Sequence, residues 1–281
     1  MTPLTKNPAK RSKQPARVHP TALVSKEAEL AAGVEVGPYS VIGPQVKIGE
    51  GTRIASHVII EGRTTIGARC RIFPGACLGM PAQTWKSEFV RSQLLIGDDN
   101  LIREYVTINS SMKEGGKTVI GDRNMLMINA HVAHDCVLDD DIAIANNTAL
   151  AGHVHVGDRA VIGGLVGVHQ HVRVGRLSMI GGVSKVVMDV APFSINDGHP
   201  ARFCGVNAVG LRRAGIRSEQ ATKIKSALKM LLGGRVNLSR VVPKVRKQFA
   251  GDPEIECLLA FIENSKRGVA RASAPAAGAE D

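Results

Sequence analysis

The chain has 281 residues, carries a formal net charge of +11, and contains only nine Phe, Tyr and Trp side chains. No run of 18 apolar residues is present, which excludes a membrane-crossing helix, and the N-terminus lacks the apolar region of a secretory signal. The few aromatic side chains form no stacking platform and no nucleic-acid motif is recognisable, so we expect no nucleic-acid partner.

The first segment of the chain is strongly basic. Residues 1–17 carry five Lys or Arg side chains and no acid, whereas residues 18–208 carry 17 basic and 18 acidic side chains. A short segment of this composition cannot bury a core, so we predict a disordered basic tail over residues 1–17, with a short transit peptide as the alternative.

A six-residue repeat begins at Val18 and ends at Val186. Of the 29 positions in this phase, all are aliphatic except Thr84 and Glu114. An apolar residue at every sixth position describes a three-sided coil of 18 residues in which each side is one short strand. Successive coils would stack at about 4.8 Å and bury one continuous core. The repeat therefore predicts a parallel β-helix over residues 18–188.

Glycine often follows the aliphatic position of the repeat. Because glycine adopts backbone angles that other residues avoid, we expect these glycines to form the corners of the coil. They are Gly37, Gly43, Gly49, Gly67, Gly79, Gly97, Gly121, Gly157, Gly163, Gly175 and Gly181.

Two excursions interrupt the coil without changing its phase, at residues 79–95 and 109–119. Loops that are carried on a rigid scaffold are favoured places for functional residues. The first excursion contains the only tryptophan, Trp85, next to Lys86.

The pattern changes after the last coil. We predict an irregular connection over residues 189–208, a helical domain over 209–268 and a disordered tail over 269–281. Residues 209–268 carry 13 basic and five acidic side chains, a net charge of +8. This surface would suit an acidic partner.

Three helices are predicted within this basic domain. One begins at Ser218 and presents an apolar stripe, and another covers residues 238–249. The last has Asp252 as its N-cap, Pro253 in its first turn and Gly268 beyond its end.

The five cysteines are scattered and form no CxxC motif. This usage argues against a disulfide framework or a zinc–thiolate site and favours a reducing compartment, so we expect a cytoplasmic protein.

Six of the nine histidines lie between residues 131 and 171. On an 18-residue coil His134, His153 and His171 should line one edge, each about 5 Å above the last. His131 lies close to His134 along the chain, and Asp135 follows it. A neutral imidazole in this cluster could act as a general base, or His131, His134 and His153 could bind zinc. Without a function, they would be surface residues at turns.

Several segments make the chain similar to one family of enzymes. Its sequence resembles the acyl-carrier-protein–UDP-N-acetylglucosamine O-acyltransferases of lipid A synthesis, and the block NAHVAHD is the most specific match. The similar segments are HPTALV (19–24), MLMINAHVAHDC (125–136), IAIANNTALAGHV (142–154), IGGLVGVHQ (162–170) and GVNAVGLRRAG (205–215). The resemblance implies a left-handed β-helix with C-terminal helices, assembled as a homotrimer with sites between subunits.

The resemblance also implies a reaction and its catalytic residues. A (3R)-hydroxyacyl chain would pass from acyl carrier protein to the 3-hydroxyl of the UDP-sugar without a cofactor or a metal. His134 would be the general base, Asp135 would set its environment, and the backbone N–H of Gly152 would stabilise the oxyanion.

Other positions match family residues that contact substrates. Gly182 matches the position that measures acyl length, and the acidic carrier protein would dock on the basic helices. The remaining matched positions are Gln83 and Lys86 in the first excursion, His131, His153, His169 and Gln170 on the coil, and Asn207 and Arg213 near the C-terminal helices.

Two departures from the family pattern leave the acceptor sugar open. Family members often carry an acid where this chain has Thr84, and a histidine where it has Asn109. The acceptor is therefore UDP-N-acetylglucosamine or a 3-amino analogue of it.

Three further alternatives fit less of the sequence. A zinc enzyme similar to the gamma-class carbonic anhydrases shares the coil but not the C-terminal helices. A non-catalytic scaffold is suggested only by Thr84 and Asn109. The related N-acyltransferase is disfavoured because the coil starts at Val18 and leaves no room for that enzyme's additional N-terminal domain.

Overall fold

The computed structural model describes residues 14–85, 90–234 and 237–273. Over these residues the chain folds as a left-handed parallel β-helix followed by a C-terminal helical domain. The fold class predicted from the repeat together with the family resemblance is therefore confirmed. Most of the predicted N-terminal tail lies outside the described residues, but Arg17 already belongs to the first strand.

Each coil contributes one short strand to each of three parallel sheets, which form the faces of a prism. The first face contains Arg17–Val18, Glu35–Val36, Arg53–Ile54, Arg71–Ile72, Leu101–Ile102, Met125–Leu126, Ala143–Ile144, Val161–Ile162 and Met179–Ile180. The second face contains Leu23–Val24, Val41–Ile42, Ile59–Ile60, Cys77–Met80, Thr107–Asn109, His131–Val132, Ala149–Leu150, Gly167–Val168 and Lys185–Val186. The third face contains Glu29–Leu30, Lys47–Ile48, Arg63–Ile66, Gln93–Ile96, Lys117–Ile120, Val137–Leu138, His155–Val156 and Arg173–Val174.

The aliphatic position of the repeat points into the prism on every face. The strand residues in this phase are at most 4% exposed from Val36 to Val186. The excursions keep this register because they add whole multiples of six residues: Arg71 pairs with Leu101, and Leu101 pairs with Met125. The stacked coils therefore share one uninterrupted apolar core.

The repeat glycines have a different role from the one predicted. Of the eleven, only Gly79 has a positive φ, and after most of the others the left-handed corner lies two residues later, as at Tyr39 after Gly37. A Cβ on Gly37 would lie 2.7 Å from the carbonyl carbon of Ala55 in the next coil. These glycines are present because successive coils approach too closely there for a side chain.

A β-hairpin occupies most of the segment predicted as an irregular connection. Its strands are Ser194–Gly198 and Ala201–Val206, and the first of them pairs with Met179–Ile180. The prediction was wrong because Pro192 lies before the first strand, Gly198 ends it and Pro200 lies in the turn, so none of them interrupts a strand. The hairpin extends the first face and joins the coil to the helices.

Within the described residues, four helices follow the hairpin: α1 (Ala208–Arg213), α2 (Ser218–Leu232), α3 (Leu238–Gln248) and α4 (Pro253–Glu263). Helix α2 starts at the predicted residue, and Asp252 caps α4 by accepting hydrogen bonds from the backbone N–H groups of Glu254 and Ile255. A second apolar core fills the space between these helices and the hairpin. Among the described residues no helix has both the length and the apolar character to cross a bilayer.

The chain after α4 returns to the last coil instead of being disordered from residue 269. Val269 and Ala270 are buried, and the Ala270 N–H donates to the Asp189 carbonyl at 2.8 Å. The prediction missed this packing because only two consecutive residues, Val269 and Ala270, are buried by it. Residues 274–281 lie outside the described part.

Candidate active site

The three histidines that the 18-residue spacing placed on one edge do form a column. They lie at the corner between the second and third faces. The ring centroids of His134 and His153 are 5.2 Å apart with perpendicular planes, and those of His153 and His171 are 4.5 Å apart and stacked. The coil height thus sets the spacing of the column.

Asp135 is the residue that links this column to the second excursion. Its Oδ2 lies 2.8 Å from Nδ1 of His134 and 3.9 Å from Nε2 of His153. Its Oδ1 accepts a hydrogen bond from the Ser111 hydroxyl at 2.5 Å, and its Oδ2 accepts one from the Met112 N–H at 3.3 Å. The carboxylate is therefore held from both sides.

These contacts decide the protonation of the His134–Asp135 pair. Burial of Asp135 favours the neutral acid, but the hydrogen bonds from Ser111, His134 and the Met112 N–H outweigh it, so the pKa of Asp135 is lowered. An ionised carboxylate only accepts hydrogen bonds, so Nδ1 of His134 must carry the proton. Nε2 is then the free basic nitrogen.

Gly152 packs directly against the ring of His134. A Cβ at this position would lie 2.4 Å from Cε1 and 2.6 Å from Nε2 of the imidazole. Within the described residues the Gly152 N–H has no hydrogen-bond acceptor, although its carbonyl accepts from the His171 N–H. The basic nitrogen thus lies against a residue whose backbone N–H has no acceptor within the described residues.

His131 and His153 flank this pair and are held as neutral imidazoles. Burial, together with the positive charge on His134 when it is protonated, lowers the pKa of His131, whose Nδ1 lies 2.7 Å from the Thr107 hydroxyl. Burial is also the largest cause of the lowered pKa of His153, where it outweighs the opposing effect of Asp135. Both rings can therefore act as hydrogen-bonding groups at neutral pH.

His169 and Gln170 lie exposed one coil above Gly152. The Arg267 guanidinium donates to the Val187 carbonyl and reaches Nδ1 of His169 at 3.2 Å. That contact requires an unprotonated Nδ1, whereas the 3.3 Å contact of the same atom with the Gln170 carbonyl requires a protonated one. Nδ1 of His169 can therefore form only one of these two hydrogen bonds at a time.

The residues predicted in the first excursion are only partly covered by the structure. Gln83 is exposed, whereas Lys86 lies outside the described residues. A groove of about 810 Å³ opens beneath this excursion, and Ser111 and Met112 are part of its lining. The groove therefore adjoins the residues that hold Asp135.

Asn109 does not occupy an open position. It is 5% exposed and its amide donates to the Pro81 carbonyl at 3.0 Å, so it anchors the start of the first excursion. Thr84 is half-buried in the lining of the groove.

The C-terminal positions lie apart from the histidine column. The Asn207 amide caps α1 by accepting from the Gly210 N–H and donates to the Leu177 carbonyl. Arg213 is exposed at the end of α1. Among the described residues neither side chain hydrogen-bonds to the column, so their contact with substrate stays a prediction.

Gly182 lies near the corner between the first and second faces. A Cβ there would be 3.4 Å from the carbonyl oxygen of Gly164, which is ordinary contact. The backbone can therefore accept a side chain at this position.

Three residues of the site were missed from the sequence: Thr107, Ser111 and Arg267. Thr107 could have been found, because it occupies the same position of the repeat as His131 in the preceding coil. Ser111 and Arg267 lie in segments outside the six-residue repeat. The repeat spacing therefore cannot predict their contacts with the site.

One group in the described residues has atoms close enough to suit a metal ion. The ligand atoms of His134, Asp135 and His153 all lie within 4.8 Å of one another. This differs from the zinc set considered from the sequence, in which His131 took the place of Asp135. Nδ1 of His131 is instead hydrogen-bonded to Thr107.

Comparison with known proteins identifies the family. A family model described as UDP-N-acetylglucosamine O-acyltransferase, domain 2, matches residues 189–270, and a model of the GMPPB C-terminal domain matches residues 18–124. The acyl-[acyl-carrier-protein]–UDP-N-acetylglucosamine O-acyltransferase of Thermodesulfovibrio yellowstonii is 46% identical over 90% of this chain and 99% of its own length. The protein of that name from Thiobacillus denitrificans is 43% identical over 91% of this chain and 100% of its own.

Solved structures agree with this family. UDP-N-acetylglucosamine O-acyltransferase from Moraxella catarrhalis superposes with a TM-score of 0.87 at 39% identity, covering 90% of this chain and 99% of its own. The Arabidopsis UDP-N-acetylglucosamine acyltransferase superposes with a TM-score of 0.78 at 29% identity, covering 92% of this chain and 100% of its own. The chain is therefore an acyltransferase that belongs to the acyl-[acyl-carrier-protein]–UDP-N-acetylglucosamine O-acyltransferase family.

Proposed function

We propose that this enzyme transfers a (3R)-hydroxyacyl chain from acyl carrier protein to the 3-hydroxyl of UDP-N-acetylglucosamine, the first step of lipid A synthesis, in the cytoplasm. The observation that carries the proposal is the His134–Asp135 pair, 2.8 Å apart, beside the free N–H of Gly152. A base and an oxyanion donor at one point are what acyl transfer to a hydroxyl requires.

His134 acts first as a base and then as an acid. Its Nε2 takes the proton from the sugar 3-hydroxyl while that oxygen attacks the thioester carbonyl carbon. Collapse of the tetrahedral intermediate breaks the carbon–sulfur bond, and the imidazolium returns the proton to the leaving thiolate of the carrier. Asp135 stabilises the imidazolium through the Nδ1–H bond, as the orienting residue of a catalytic triad does.

The Gly152 N–H stabilises the negative charge on the carbonyl oxygen of the intermediate. This donor is effective because the coil backbone fixes its position before the reaction. No acceptor in the described residues competes for it. His131, His153, His169 and Gln170 surround this point and are proposed to bind the sugar, its nucleotide and the acyl chain.

We propose the hydroxyl sugar rather than its 3-amino analogue as acceptor. Asn109, one of the two residues that raised the alternative, is buried and tied to the first excursion, so it is not placed to choose between oxygen and nitrogen. The buried base pair supports the hydroxyl, which is the weaker nucleophile and gains more from deprotonation.

The C-terminal helices are proposed as the docking surface for the acidic carrier protein. The structure supports this with eight exposed basic side chains that, within the described part of the chain, have no ion-pair partner. They are Arg212, Arg213, Arg217, Lys225, Lys229, Arg240, Lys244 and Lys247.

Charge reversal at Arg213 tests this docking surface. We expect Arg213→Glu to raise KM for the acyl carrier protein about fivefold with little change in kcat, because a rim charge acts mainly on association. Lys26→Glu, at an exposed position on an early coil, is the matched control and should leave both constants unchanged. A rise in KM for the UDP-sugar alone would contradict carrier docking at Arg213.

Gly182 is proposed to set the length of the acyl chain. Gly182→Met should lower kcat/KM for long hydroxyacyl donors by at least about tenfold and leave short donors nearly unaffected, because the side chain fills the space beyond residue 182. The measurement is transfer from a panel of hydroxyacyl carrier proteins, in which the short donors are the internal control. Equal losses for every chain length would refute this role.

We also propose a homotrimer. Leu165 and Val183 expose 61% and 69% of their surface at one corner of the prism, and a second copy would cover them. The separation of Arg213 from the histidine column within one chain also supports a site that is completed by another copy. Sedimentation equilibrium should return three times the chain mass, and a monomer mass would contradict the assembly.

A further inference from the structure

The second excursion holds the catalytic pair through one buried serine. Ser111 is 1% exposed, and its hydroxyl donates to Oδ1 of Asp135 at 2.5 Å. The Ser111 oxygen in turn accepts a hydrogen bond from the Lys113 N–H at 3.0 Å, which fixes the direction of the hydroxyl proton. The serine is thus oriented by its own loop before it meets the carboxylate.

The donors around Asp135 are divided between its two oxygens. Ser111 occupies Oδ1, whereas Oδ2 faces His134 at 2.8 Å and the Met112 N–H at 3.3 Å. The Asp135 backbone is held separately, since its N–H donates to the Thr118 hydroxyl at 2.8 Å. With Oδ1 occupied, the carboxylate cannot rotate away from the imidazole without losing a charge-assisted bond.

We propose that Ser111 is a positioning residue that fixes the ionised carboxylate of Asp135 and thereby keeps His134 in the tautomer with a basic Nε2. The role rests on the proposed function of His134 as general base. The second excursion is then part of the catalytic apparatus, because it supplies both loop donors to Asp135.

Other charged or titratable groups also face the pair. His131 and His153 flank His134, while Lys113 and His171 lie beside His153. These groups are the same in a Ser111 variant, so a change in pH dependence can be assigned to the lost hydroxyl.

The test is Ser111→Ala, measured by a pH profile of kcat/KM. Removing the donor frees the carboxylate of Asp135 to rotate away from Nδ1 of His134, so the protonated imidazole loses part of its stabilisation. We expect kcat to fall about tenfold, KM to change less than about twofold, and the acid limb of the profile to move down by about half a pH unit.

The neighbouring serine provides a matched control. Ser110 is also buried, but its hydroxyl lies against the Ser92 hydroxyl and the Met80 carbonyl, away from Asp135. Ser110→Ala should leave the acid limb where it is in the wild type. Ser111→Cys, a weaker donor of similar size, should move the limb in the same direction by less, and it replaces the alanine variant if that variant does not fold.

A second readout does not depend on turnover. The ¹⁵N chemical shifts of the His134 ring report its tautomer, and Ser111→Ala should reduce the share of the Nδ1–H form. An unchanged acid limb together with an unchanged tautomer would overturn the role of Ser111. If the wild type transfers no acyl group, the proposed function fails, and the tautomer measurement still decides whether Ser111 positions the pair.

Discussion

Replacing His134 with alanine is expected to reduce kcat for acyl transfer by about 1,000-fold, the usual contribution of a general base. The imidazole carries the basic Nε2, and no other histidine of the column is bonded to Asp135 at 2.8 Å. The side chain is mostly buried against Gly152, so its removal leaves a small cavity at the corner and not in the main core. We therefore expect the variant to fold, with Tm lowered by no more than a few degrees.

The control for this variant is a second histidine–carboxylate pair on the same prism. Nε2 of His155 lies 3.1 Å from both oxygens of Asp139, on the third face and away from Gly152. His155→Ala should retain full activity and stability. Activity of His134→Ala within about tenfold of the wild type would rule out the general-base mechanism.

Adding one methyl group to Gly152 is expected to reduce kcat about 100-fold. The new Cβ would lie 2.4 Å from Cε1 and 2.6 Å from Nε2 of His134, so the ring must move. Displacement of a catalytic group by about 1 Å typically has an effect of this size. The measurement is steady-state transfer by Gly152→Ala at saturating substrates, together with Tm as a check on folding.

Gly167→Ala is the matched control for this substitution, because a Cβ at Gly167 meets nothing within 4 Å. It should behave as the wild type. If Gly152→Ala kept normal kcat with normal stability, the close packing of Gly152 and His134 would have no catalytic importance, and the backbone donor would lie elsewhere.

The sequence predicted the fold and the histidine column for one physical reason. Both follow from a fixed coil length, so the phase of Val18 to Val186 shows which side chains point inward, and the 18-residue step shows which corners coincide. The spacing alone therefore places His134, His153 and His171 on one edge, where the structure has them.

Contacts made by residues outside the six-residue repeat could not be predicted in this way. Ser111 reaches Asp135 and Arg267 reaches His169 through irregular chain, whose path depends on tertiary packing. The close approach of coils at Gly37 is likewise a property of the stacked structure, which is why the sequence suggested a corner instead. The hairpin after Pro192 was missed because its strands pair with the last coil and with each other, not with a repeat.

The most direct test of the account is a competition between the two possible acceptors. Purified enzyme is given one hydroxyacyl carrier protein with equal amounts of UDP-N-acetylglucosamine and its 3-amino analogue, and the products are separated by mass. We predict mainly the ester of UDP-N-acetylglucosamine, cleavable by mild base and absent with His134→Ala. A base-stable amide as the main product, or ester formed equally well by His134→Ala, would contradict it.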